Sequence, residues 1–319
     1  MFRFIIRRIL FGVLVLWLVT TTVFGLLHIS PTPVEKIIAG PRASAATVAL
    51  IRHNLGLDKP FLVQYWNFLK NTFTGDLGYS YVTQAKVSSV IADRLPATLW
   101  LVGGAAVLWF VGGVVTGVLS ATRARSLLDR ASTVFVLIGL SVPPFLMALL
   151  TLLLFFTKFG DWGIHLFQPG QYTSPLDDPQ QFLQRMVLPW LALAFMLVAT
   201  YTRLTRGSMM DVLGEDYIRT ARAKGLSERR VIYRHGLRAA LTPVVTQFGV
   251  DLGALIGSTI VTEKVFGLQG IGQLVYNSIV QGDTPVILGV TLLTALFVVV
   301  ANLIVDIGYS FLDPRVRVD

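Results

Sequence analysis

Apolar runs about as long as a bilayer is thick alternate along this chain with short charged segments. A helix needs roughly 20 largely apolar residues to cross the hydrocarbon layer. Runs that meet or approach this length lie at Ile9–Leu27, Leu95–Thr122, between Arg130 and Lys158, at Met186–Thr202, Ala239–Thr262 and Thr284–Val305. They predict six transmembrane helices. The fourth is the shortest, and Arg185 and Arg203 at its ends can reach water along their aliphatic stems. Pro143 and Pro144 predict a kink in the third, because a proline ring displaces a helical hydrogen bond. The uncharged stretch 265–282 resembles a further span, but its four glycines, together with Gln269, Gln273, Asn277 and Gln281, point to a partly buried or re-entrant external element.

The first run, "RRILFGVLVLWLVTTTVFGLL", has the basic start of a signal sequence and a weak twin-arginine pair, Arg7-Arg8. It lacks a small-residue cleavage site and is longer than a signal core, so it reads as a retained helix. Residues 30–94 form the one sizeable polar region, with short helices expected over Ala45–Leu55 and Phe61–Leu69. Within it, Tyr65, Trp66 and Phe68 read as an interfacial anchor, with substrate contact as the other reading.

Charge orients the bundle. With the N-terminus inside, Arg3, Arg7 and Arg8, then Arg123, Arg125 and Arg130, then the block from Arg203 to Arg238, then Arg315 and Arg317 all fall on the inner side; together they are most of the 27 basic residues. The positive-inside rule then places both termini in the cytoplasm. Composition agrees: 54% of the 319 residues are hydrophobic and only 14% charged, against about a quarter charged in soluble domains. The net charge of +9 follows from basic inner loops, and nucleic acid is not an expected partner. The chain has no cysteine, and its four histidines are scattered, so neither a thiolate site nor a catalytic metal site is expected.

The most charged block, "GEDYIRTARAKGLSERRVIYRHGLRAALTPV", spans residues 214–244 and leads directly into the fifth apolar run. Helix formers over Asp211–Lys224 predict one helix, Gly225 its end, and Ser227 the cap of a second. A corner of this kind within an inner loop at 203–238 would pass rigid motion into the fifth span. A loop that only fixes topology, with Arg203 and Arg206 on anionic headgroups, is the plainer account.

This block resembles the EAA-type coupling motif of the membrane subunits of binding-protein-dependent ABC importers. Glu215, "DYIRTARAKG", Ala221, Gly225, Leu226, "ERRVIYRHGLR" and Pro243 fall in the order of that pattern. Further likeness lies at "GLDKP" (56–60), "GDLG" (75–78), "RLPATL" (94–99), "EKVFGLQGIG" (263–272) and "NLIVDIGYSFLDPR" (302–315), so nearly the whole chain is covered. The combination is similar to the first, B-type, membrane subunit of the oligopeptide, dipeptide and nickel permease family. Departures are "SPTP" at 30–33, Ala239 where asparagine is common, and Asp251 where an uncharged polar residue is usual. The resemblance implies an all-α polytopic membrane protein with the type I ABC importer transmembrane fold, formed by residues 1–319 as a single domain in a prokaryotic cytoplasmic (inner) membrane. It implies a second homologous permease subunit, two cytosolic ATPases that bind MgATP, an extracytoplasmic substrate-binding protein, and a di- or oligopeptide cargo. It also implies that Glu215, Arg219, Ala221, Arg222, Gly225 and Leu226 couple to an ATPase, with Ala221 permitting close approach. The chain agrees in lacking a GxxxxGK[ST] phosphate loop, so no catalytic residue and no cofactor of its own is expected.

Within the spans, Asp251 is either a contact on the translocation pathway for a cationic group or an interhelical hydrogen-bonding residue. As a proton-coupling carboxylate it would instead suit a secondary transporter. Asp306 is expected to fix the inner end of helix six, and Gly249, Gly253 and Gly257 to form a face for close helix contact.

Overall fold

A computed structural model describes residues 2–29, 34–39, 43–54 and 56–312. Gly257, Asp306 and the 30–33 stretch lie outside the residues whose full placement is described. The architecture is helical, from α1 (Phe2–Ile29) through α2 (Val34–Ala39), α3 (Ala45–Asn54) and α4 (Phe61–Phe73) to α5 (Val87–Thr122). Then come α6 (Leu127–Ser141), α7 (Pro144–Leu152), a π-helical turn at Leu153–Lys158 and α8 (Phe159–Asp161). The remaining elements are α9 (Pro179–Leu213), α10 (Asp216–Ala223), α11 (Glu228–Arg230), a second π turn (Val231–Gly236), α12 (Leu237–Ser258), α13 (Ile260–Phe266), α14 (Ile271–Gln281) and α15 (Thr284–Leu312).

Among the described residues, five helical stretches are long and apolar enough to span a membrane, and six if the bent pair ending at Phe266 is one span. Two expected spans are discontinuous. The third is broken rather than kinked: Val142 and Pro143 are extended, and Pro144 starts a new helix, where its missing N–H costs nothing. The fifth stops at Ser258 and resumes at Ile260 in a different direction.

The core is the α5–α9 pair, with α12 across it, α15 on α12 and α1 on α15. Close approach comes from glycines whose places a methyl group could not take. A Cβ on Gly113 would overlap Tyr201 Cβ, one on Gly104 would enter the Trp190 ring, and one on Gly117 would stand 2.6 Å from Thr205 Cβ. The Trp190 indole donates to the Trp100 carbonyl at 2.8 Å. Trp109, fully buried, packs with Tyr201 and Phe248 where α5, α9 and α12 meet. Gly253 faces Val298 of α15, so one position of the expected glycine face makes helix contact.

At the end of the bundle away from Arg123 and Arg203, α4 docks on α1: Phe24 packs against Phe61, Tyr65 and Phe68, and the Tyr65 hydroxyl lies 2.7 Å from Thr21 Oγ1. Trp66 stays 67% exposed. The segment then closes a short antiparallel bridge, Tyr79 to Lys86. Asp283 accepts from Ser80 Oγ (2.5 Å) and the Tyr81 N–H (2.9 Å), clamping that bridge to the α14–α15 corner. The 265–282 stretch comprises the end of α13, a turn at 267–270 and α14, which packs on α13, α15 and α5. Its N-cap, Gly270, has no side chain to offer. Glu263, fully buried on α13, takes that role by accepting the Gln273 N–H at 2.9 Å while Thr98 donates to it at 2.7 Å.

Candidate functional site: the elbow between α9 and α12

The expected single helix over 211–224 is two. Helix α9 runs unbroken to Leu213, the chain turns at Gly214, and α10 begins at Asp216 with Glu215 as its N-cap residue, whose side chain makes no capping bond. Gly225 then sits at φ +75°. In that left-handed region a Cβ is unfavourable, and glycine ends the helix there without strain. The Gly225 N–H bonds to the Arg222 carbonyl (2.9 Å) and the Leu226 N–H to the Ala221 carbonyl (3.4 Å). Ser227 starts α11 through its backbone, its carbonyl accepting from Arg230 and Val231; its hydroxyl makes no capping bond, contrary to expectation.

The elbow has its own small core. Ile218 and Val231 are fully buried and Ala221 is 8% exposed; Val212, Leu213 and Leu226 pack around them. The close approach that Ala221 permits in this fold is therefore across the elbow, between α10 and the π turn. An ion pair from Arg222 to Glu228 (2.8 Å) spans the Gly225 corner, and a looser one joins Arg219 to Asp216 (3.5 Å). Both are solvent-exposed, worth at most about 1 kcal/mol each. The outward surface includes Glu215, Asp216, Tyr217, Arg219, Thr220, Arg222 and Lys224. The named coupling residues thus lie together on one corner, some turned outward and some forming its interior.

A second constellation ties the elbow's supporting helix to the bundle. Asp129, only 6% exposed, accepts from Arg206 Nε (2.7 Å) and Nη2 (3.1 Å), Ser120 Oγ (2.5 Å) and the Arg125 N–H (2.9 Å). The Arg206 guanidinium above all, then the Ser120 hydroxyl, holds the Asp129 carboxyl well below the usual carboxylate range. Arg206 is thus bound to protein rather than to a lipid headgroup. Sequence reading missed Asp129; its signal was the Ser126-x-x-Asp129 spacing of a helix start, where the Ser126 hydroxyl accepts from the Asp129 N–H.

Asp251 is remote from the elbow in sequence and bonded between helices. Tyr201 of α9 donates to one oxygen at 2.8 Å and Gln247 to the other at 2.9 Å. The Tyr201 contact is the kind of bond an interhelical role requires. Tyr201, inside an apolar run, gave no sign of it in the sequence.

Five apolar helical spans among the described residues, six if the bent pair is one, with a self-cored elbow joining α9 to α12, describe a polytopic helical membrane protein. Residues 1–102 match the N-terminal family of binding-protein-dependent transport system membrane components, and residues 113–318 match the binding-protein-dependent transport system inner membrane component. The chain is 38% identical over 317 residues to the glutathione transport system permease protein GsiC of Escherichia coli O6:H1 and to that of Escherichia coli strain K12, covering 99% of each chain. It is 37% identical, over the same span, to the one from Shigella flexneri serotype 5b. The chain belongs to the binding-protein-dependent transport system inner membrane component family. It is a permease subunit of an ABC importer, a multi-pass protein of the cytoplasmic membrane, and ATP hydrolysis belongs to a separate subunit. A proton-driven carrier built on Asp251 does not fit that membership.

Proposed function

We propose that this subunit imports short peptides, with glutathione-sized molecules foremost, and that its elbow docks on one of two cytosolic ATPases that bind MgATP. In this reading the elbow end and both termini are cytoplasmic, and a homologous permease subunit completes the pathway. Glu215, Arg219 and Arg222 supply polar contacts, while Ala221, Gly225 and Leu226 hold the corner that presents them. The observation that carries the reading is the elbow's construction: a small packed core of its own, joined to α9 and α12 with no long loop between. Support for the cargo comes from the relatives, which are named as glutathione permeases. Asp251, with both carboxylate oxygens engaged, is assigned to holding α9 against α12 rather than to gripping cargo.

The absence of cysteine makes the docking test direct. A single thiol introduced by Thr220→Cys, with a short bifunctional reagent, should join the chain to an ATPase subunit in the assembled importer. A thiol introduced by Trp66→Cys at the opposite end should not. Absence of any ATPase adduct from position 220 across nucleotide states sinks the docking. Uptake of labelled glutathione and of dipeptides by the intact importer, each competed by the other, tests the cargo.

A further inference from the structure

The bases of α10 and α12 flank an open surface groove of about 670 Å³ that the elbow's own packing leaves unfilled. Tyr217 comes from α10, Arg234 and His235 from the second π turn, and Arg238, Thr242 and Pro243 from α12. No acid lines it. Glu215 stands near the rim, close enough that its charge, after burial, helps push the Tyr217 phenol up. On the same end of the bundle Arg206, Arg219 and Arg222 each have a carboxylate partner. Arg234 and Arg238 form no ion pair among the described residues, so two arginines line one groove with no carboxylate in contact with either.

The groove also straddles a change of polarity. Below it lie the exposed Arg229 and Arg230; above Arg238 the chain carries no charge until Asp251, and the groove wall there is Ala239 and Pro243. An occupant that is anionic at one end and apolar at the other would match both parts of this lining. We propose that the groove seats the headgroup phosphate of an anionic phospholipid from the leaflet at this end, its glycerol lying against Ala239 and Pro243. Arginine forks match phosphate oxygens in pairs, and the Tyr217 and Thr242 hydroxyls are neutral donors beside them. Basic pockets between helices on the inner side of a membrane bind such lipids. A free phosphate would use only the polar half of the groove. A lipid held between α10 and α12 would brace the joint through which the elbow moves.

The test uses the full importer purified in mild detergent, with retained phosphatidylglycerol and phosphatidylcholine measured by native mass spectrometry. Near an anionic surface each arginine is worth about fivefold in binding, so the Arg234→Gln/Arg238→Gln pair should lower phosphatidylglycerol affinity about 30-fold. Arg229→Gln/Arg230→Gln, an equal charge change outside the groove, should alter it less than about threefold. A photoreactive residue introduced at Ala239 of the otherwise unchanged chain should capture lipid in membranes, whatever the folding of the arginine variants. The proposal is overturned by equal losses in the two pairs, by unchanged binding in the first, or by displacement of the lipid by millimolar inorganic phosphate. Capture of an ATPase or the sister permease at position 239 in place of lipid overturns it as well.

Discussion

Replacing Gly225 separates the shape of the elbow from its surface chemistry. At φ +75° an alanine costs about 1–2 kcal/mol, whereas asparagine visits this region more cheaply. No atom lies within 4 Å of an added Cβ, so the cost is conformational and not a clash. Opposing it is the elbow core, where burying Ile218 and Val231 contributes about 1.5–3 kcal/mol each. The margin holding so small a unit in shape is a few kcal/mol, and Gly225→Ala should reduce the well-formed population by about 5- to 30-fold relative to the misformed one. The assay is the intact importer in vesicles, with solute uptake and ATP hydrolysis measured in parallel at matched membrane levels. Gly225→Asn should remain near wild type, and Gly225→Ala should hydrolyse ATP with less uptake per turnover. Gly225→Glu should add a loss from its charge at the docking face. Normal transport by correctly assembled Gly225→Glu complexes, or an alanine variant better coupled than the asparagine one, refutes the reasoning.

Arg206→Met leaves Asp129 buried without its cation and should cost about 3 kcal/mol, read as a lower thermal midpoint in detergent. Because the folded carboxyl is held below its unfolded value, this stabilisation is fully present above the ordinary carboxylate range and is lost as pH falls through the depressed value. The gap in midpoint between wild type and Arg206→Met should therefore hold at neutral pH and narrow only in strong acid; narrowing above pH 6 contradicts the assignment. Gly113→Leu should force α5 from α9, costing about 1–3 kcal/mol or more and lowering the amount of assembled importer; a wild-type yield and midpoint would contradict the contact. Glu263→Ala should uncap α14 at about 1–2 kcal/mol and speed amide exchange at 271–275, with Glu263→Gln, which keeps an acceptor, affected less; equal exchange in all three chains would remove the cap.

Long apolar runs and turn residues were legible because they act locally. The helices over 45–54 and from Phe61, the separate character of 265–282 and the Gly225 corner all follow from residues within a few positions of one another. Joints and buried acids were harder. Gly214 ends a helix that composition would continue, and Pro143-Pro144 breaks the third span where one internal proline would only bend it. Arg206 meets Asp129 across 77 positions, Thr98 meets Glu263 across 165 and Ser80 meets Asp283 across 203. Nothing near any of these residues announces its partner. Ala221 shows the same limit at short range: its small size was visible, but which neighbour it admits depended on where Val231 folds back.

The unbroken course of α9 has a mechanical corollary. At about 1.5 Å per residue its 35 residues make a rod roughly 50 Å long, well beyond the hydrocarbon layer. Gly104, Gly113 and Gly117 let α5 interlock with this rod along its length, which suppresses sliding and makes the two helices one stiff strut. Such a strut pivots instead of flexing, so a push at its basic tip swings the opposite tip the other way. The hinges left to absorb that swing are the interruptions at Val142-Pro143 and Thr259.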